Sequence, residues 1–172
     1  MGNPIHCSAE EMVAHLQSAV EDVFQTMLNT MITLIDAGCA EGAPRAALPS
    51  GGEPARVQFE AVVPFSGPRN GAVVLQCTAE GAMDIARGLL MLEAGCSVPL
   101  EEVQDAIGEC ANMVSGSLKT RALDPYGVFH LGVPQFGTSS ADASRRSAGQ
   151  LAFRMSEGCA AVEVWMEESA AA

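Results

Sequence analysis

Asp105, Glu109 and Asn112 are the side chains of this sequence whose types and spacing point to chemistry. They lie in Asp105-Ala-Ile-Gly-Glu-Cys-Ala-Asn-Met-Val-Ser-Gly-Ser-Leu-Lys119, a stretch with helical periodicity. At about 100° per residue the three fall within a sector of roughly 60°. Val103, Ile107, Cys110, Val114 and Leu118 form a separate apolar stripe, the side expected to be buried. Asn is a poor helix former, and an exposed helix face has little use for one. A carboxylate and a carboxamide one turn apart, held rigidly over solvent, can reach into another molecule's active site. The carboxamide both donates and accepts hydrogen bonds, so it can hold a water without being a strong base. Taken singly, Glu109 is a solvated helix charge and Asn112 a local capping or kink residue. Their joint placement on the open sector carries the functional reading.

Such a face needs a long helix seated on a core, and the chain has the means to build one. At 172 residues a single domain spanning 1–172 is expected, ordered over about 8–167 with a frayed tail at 168–172. Apolar residues make up 48%, which excludes general disorder. No apolar run reaches the length of a membrane span. The start, Met1-Gly-Asn-Pro-Ile-His6, has no basic and apolar segments of a secretion signal. His6 also stands where a myristoylation motif needs Ser or Thr. The formal net charge is −12, with Lys119 and eight arginines against 21 acids. That balance argues against nucleic acid, whose phosphates need clustered Lys and Arg, and against anionic membrane. Six scattered cysteines without CxxC pairs, and three histidines without ligand spacing, point to reduced, mostly buried thiols and no metal site. A cytoplasmic location is the expectation.

The elements follow from periodicity and punctuation. Ser8-Ala-Glu-Glu11 reads as a capping box, opening a helix expected to run to about Ala37. Its apolar stripe is Val13, Leu16, Val20, Phe24, Met27, Met31 and Leu34. Cys39 to Pro54, rich in Gly, Pro and Ala, reads as a loop. Arg56–Pro64 alternates and reads as a strand, returning through Asn70-Gly71 to Ala72–Cys77. Thr78 caps a helix to about Leu92, and Pro99 opens the second long helix, to about Arg121. Val128–Phe136 reads as a strand, Ser139–Gly149 as a loop, and Gln150–Ser156 with Ala160–Met166 as a hairpin around Glu157-Gly158. The order implies an α/β (α+β) domain with a mixed or antiparallel sheet and two long helices packed on it.

A weak internal repeat runs through this order. Asp22, Thr26 and Asn29 align with Asp105, Glu109 and Asn112, and Val63-Pro-Phe-Ser-Gly67 echoes Val133-Pro-Gln-Phe-Gly137. Two halves related by a pseudo-twofold axis would then hold one complete site and one defective copy, with Thr26 in the Glu position.

Asp105-x3-Glu109-x2-Asn112, followed by Met113-Val114-Ser115-Gly116 and Lys119-Thr120, resembles the signature helix of the CheC/CheX/FliY phosphatases of bacterial chemotaxis, closest to the CheX branch. The likeness spans about residues 8–167. It implies the pseudo-twofold CheC/CheX-like fold and hydrolysis of the aspartyl phosphate on a phosphorylated CheY-like response regulator. The resemblance gives CheX-type members one Glu/Asn site, in keeping with Thr26, and homodimers formed through their sheets. No cofactor of its own is implied; Mg2+ comes with the bound regulator. On this carry-over Asn112 holds the in-line water, Glu109 pairs with the regulator's active-site Lys, and Asp105 sits at the edge of the interface. Two other readings stay open. One is a regulator-binding or flagellar-switch scaffold without hydrolysis, which the intact Glu109/Asn112 pair disfavours. The other is a phosphatase for a receiver domain outside chemotaxis.

Overall fold

The computed structural model describes residues 7–38, 48–50, 53–55, 57–136 and 145–167. The first helix, α1 (Ala9–Asp22), starts at the expected capping box, where the Ser8 hydroxyl accepts from the Glu11 N–H and the Glu11 carboxylate accepts from the Ser8 N–H. It is far shorter than expected. A five-residue π turn, Val23–Met27, follows it, and Asn29 takes a left-handed backbone (φ 49°). The chain then enters strand β1 (Thr33–Gly38). Thr30, Ile32, Thr33 and Ile35 are β-branched, a composition that favours the pleated surface over the helix. Met27, Met31 and Leu34, assigned to the helix stripe, are consequently exposed.

Within the expected Cys39–Pro54 loop, β2 (Leu48–Ser50) and β3 (Glu53–Ala55) pair antiparallel; residues 39–47 lie outside the described residues. Strands β4 (Phe59–Ser66) and β5 (Gly71–Cys77) form the expected hairpin. Then come α2 (Ala79–Leu90), capped by Thr78 as expected, and α3 (Leu100–Leu118), opened by Pro99. A second π turn, Lys119–Leu123, continues α3. The expected strand over Val128–Phe136 is two short pieces, β6 (His130–Leu131) and β7 (Gln135–Phe136). Gly132 and Pro134 break it, since proline cannot donate to a ladder. Strand β8 (Arg145–Arg154) begins inside the expected Ser139–Gly149 loop and turns at Glu157-Gly158 into β9 (Cys159–Glu167). The expected frayed tail, 168–172, lies outside the described residues.

The main sheet runs β1-β8-β9-β5-β4-β6, with β7 also on β4, and every pair is antiparallel. The order is pseudo-twofold. Hairpins β4–β5 and β8–β9 meet at the centre through β5 and β9. Each long helix is followed by an outer strand that joins the other half's hairpin: β1 to β8, β6 and β7 to β4. The repeat therefore exists, but in another register from the one read in the sequence. The Val63 and Val133 segments are neighbours in the sheet, not symmetry mates.

One core fills the space between the sheet and the three helices. Alternate residues Ala61, Val63 and Phe65, Val73 and Leu75, Leu151 and Phe153, and Val162 and Val164 point into it. Phe24 meets Phe153 edge-on with ring centroids 4.9 Å apart, fastening the π turn after α1 to β8. At α2 the contact is backbone to backbone. A Cβ on Gly158 would stand 1.9 Å from the Gly81 nitrogen, which only glycine allows. Asp84, 7% exposed, accepts through Oδ2 from the N–H groups of Glu157 (2.7 Å) and Gly158 (3.0 Å). The β8–β9 turn is thus bolted to α2, and α2 packs in turn on α3.

Candidate functional site

Helix α3 has Val103, Ala106, Ile107, Gly108, Cys110, Ala111, Val114, Ser115 and Leu118 buried. The expected stripe is all there, and the small residues beside it widen it into a broad seat on β4 and β5 between α1 and α2. What remains outside is an open sector. Asp105 and Glu109 are exposed on it and Asn112 is half-buried. Neither a hydrogen bond nor an ion pair within the described residues engages these three side chains. The helix that carries them is fixed, while their polar groups are left free for another molecule.

Phe136, at the end of β7, walls one side of this sector. A Cβ on Gly108 would meet the Phe136 Cζ at 2.8 Å. Gly108 lies one turn from both Asp105 and Asn112, so the ring rests against the helix beside them. At 49% exposure it offers apolar surface next to the polar row. This close approach is between helix and strand aromatic; a glycine beside the apolar stripe is its trace in the sequence, and it does not say which ring lies over it.

Burial pushes the Cys110 thiol up strongly, with Cys77 and Glu109 adding to the shift, and burial pushes the Cys77 thiol up to about 12. Neither offers a thiolate near neutral pH; both serve as core residues. Lys119 is spent on Asp124, with Nζ 2.7 Å and 3.0 Å from the two carboxylate oxygens, a structural role. Among the described residues no group of three His, Cys, Asp or Glu side chains is placed to hold a metal ion. No helix among them is long and apolar enough to cross a membrane.

The supposed first copy does not form a helical face. Asp22 pairs with Arg121, tying the end of α1 to the end of α3. Thr26 lies in the π turn, and Asn29 lies beyond it in left-handed backbone. Thr26 and Asn29 line a cavity of about 600 Å3 with Asp84, Arg87, Met91 and Glu157, to which α3 contributes nothing. Helix α1 contains no asparagine, so the first half carries no Glu/Asn pair of this kind.

The family model for the chemotaxis phosphatase CheX matches residues 59–161, from β4 through α3 into β9. This chain belongs to the CheX family. Solved CheX structures share its fold over nearly their whole length. CheX from Desulfovibrio desulfuricans superposes with a TM-score of 0.70 at 19% identity, covering 91% of this chain and 99% of that one. CheX from Vibrio vulnificus gives 0.69 at 20%, over 91% and 99%. CheX in a CheX–CheY–BeF3–Mg2+ complex from Borrelia burgdorferi gives 0.64 at 18%, over 91% and 98%. No curated protein matches by sequence. The matched span contains the whole open sector of α3, so the CheX assignment and the candidate site rest on the same helix.

Proposed function

We propose that this CheX-family chain hydrolyses the aspartyl phosphate of a phosphorylated CheY-type response regulator in the cytoplasm. The observation that carries the reading is the unengaged Asp105–Glu109–Asn112 sector on a rigid helix, in a member of a chemotaxis phosphatase family. The Borrelia burgdorferi CheX–CheY–BeF3–Mg2+ complex supports a partner of this kind that arrives with its own Mg2+.

An acyl phosphate is already activated, so the reaction needs mainly an in-line water and stabilised charge. The water oxygen attacks phosphorus, the bond from phosphorus to the aspartyl oxygen breaks, and the water protons pass to phosphate and solvent. Asn112 accepts from that water and orients it. Glu109, one turn earlier, pairs with the regulator's active-site Lys and sets the docking register. Asp105 lies at the rim and adjusts orientation. On this account Glu109→Ala weakens both binding and turnover. Loss of a charge-assisted contact of about 1.5–3 kcal/mol corresponds to roughly a 10- to 100-fold weaker complex. Titration of a beryllofluoride-loaded receiver reads the binding loss. Wild-type affinity in the variant would remove Glu109 from the interface.

A homodimer belongs to the same proposal. Strand β1 ends the sheet on one side, and such an edge presents unpaired backbone groups to a second strand. Sedimentation at micromolar concentration should give twice the mass of the chain; a monomer there would discard the dimer.

A further inference from the structure

We infer that Gly116 is a docking determinant, a notch in α3 that the regulator fills when Glu109 and Asn112 engage its phosphoaspartate. The inference rests on the function proposed above. Gly116 lies one turn beyond Asn112, and at about 100° per residue it falls between the rows of Asp105 and Glu109. A Cβ added there would meet nothing within 4 Å. The other glycines of the three helices differ: at Gly81, Gly88 and Gly108 the first atom met stands at 2.4, 2.9 and 2.8 Å, so each is required by a close approach inside the chain. Gly116 has no such reason. Nor does it end the helix, since its φ is not positive and the chain continues through the Lys119–Leu123 turn. Glycine is nevertheless the worst helix former after proline.

The neighbouring long side chains leave the space open. Lys119 is held by Asp124, and Arg121 by Asp22 and Ser117. The need for clearance follows from the length of Asn112. A carboxamide on a single methylene reaches a water at a partner's phosphorus only if the helix backbone comes close to that partner. A side chain at Gly116 would hold the two surfaces apart, and a displacement of 1 Å at a reacting centre costs about 100-fold.

Gly116→Ala and Gly116→Leu in the full chain test this, by thermal unfolding, binding to a beryllofluoride-loaded CheY-type receiver, and decay of the phosphorylated receiver. Alanine should raise the unfolding temperature by about 2–4 °C yet lower kcat/KM about tenfold. Leucine should lower it about 100-fold, with binding lost in parallel. Asn112→Ala, by contrast, should keep its binding. Wild-type binding and rate in Gly116→Leu would overturn the inference. So would a lower unfolding temperature in Gly116→Ala, which would assign the glycine to the adjoining π turn. If the wild type binds the loaded receiver without speeding decay, and Gly116→Leu fails to bind, the notch stands and the hydrolytic reading falls. If the wild type does neither, both fall.

Discussion

Asn112→Ala should slow regulator dephosphorylation by at least about 100-fold while changing affinity for the loaded regulator no more than about threefold. The size follows from the division of labour in phosphoryl transfer, where catalysis is almost entirely positioning and charge stabilisation. On the proposed mechanism the charge-stabilising groups come with the regulator and the positioning group, the Asn112 carboxamide, comes from this chain, so truncation to alanine removes it completely. Affinity survives because Glu109, Asp105 and the surrounding helix face are untouched. Folding should survive too: Asn112 is half-buried, makes no hydrogen bond within the described residues, and gives way to a better helix former. Asn112→Gln is the sharper variant. It keeps the amide chemistry and moves it outward by one methylene, so a large loss of rate there would identify placement, not hydrogen-bonding capacity, as what matters. Measuring kcat and KM separately for both variants checks the argument.

Asp84→Ala should have the largest effect on stability, about 2–4 kcal/mol, and almost none on the chemistry of the folded fraction. The carboxylate is buried and accepts from two consecutive backbone N–H groups at the β8–β9 turn. Truncation leaves those donors without their acceptor, and an unsatisfied buried donor costs about 1–3 kcal/mol. Glycine packing at Gly81 and Gly158 leaves little room for a substitute to approach. For a domain of this size the unfolding temperature should fall by roughly 5–15 °C. Asp84→Asn keeps one acceptor oxygen and should lose less. Thermal denaturation of the three proteins, with phosphatase assays well below the lowest midpoint, separates this effect from any catalytic one.

The candidate site was largely legible in the sequence because α3 obeys one rule throughout. Its apolar residues keep a 3.6 period from Val103 to Leu118, and the residues off that stripe include the acid, the carboxylate and the amide. Pro99 marks the start. The first helix was misread because its apolar spacing persists by accident through Met27, Met31 and Leu34. There β-branched residues and the pairing of β1 with β8 outweigh periodicity. Strand β8 was partly hidden for a related reason. Arg145-Arg-Ser-Ala-Gly149 has no strand pattern of its own and is extended because β9 templates it, with a register shift between Ser147 and Gly149. The twofold repeat was visible as an order of elements but not in its register. Register is set by packing in the folded core, which leaves Thr26 in a π turn and Asn29 in left-handed backbone. Phe136 illustrates the same limit: a contact between residues 28 positions apart in sequence, across β7 and α3, leaves only a glycine as its trace.

The most direct test of the central claim is the decay of aspartyl phosphate on a purified CheY-type receiver domain with Mg2+, followed with and without a substoichiometric amount of this chain. The account predicts faster decay, with each molecule of the chain clearing many receivers. Unchanged decay in the presence of a chain that binds the loaded receiver would contradict it and make the α3 face a binding surface alone.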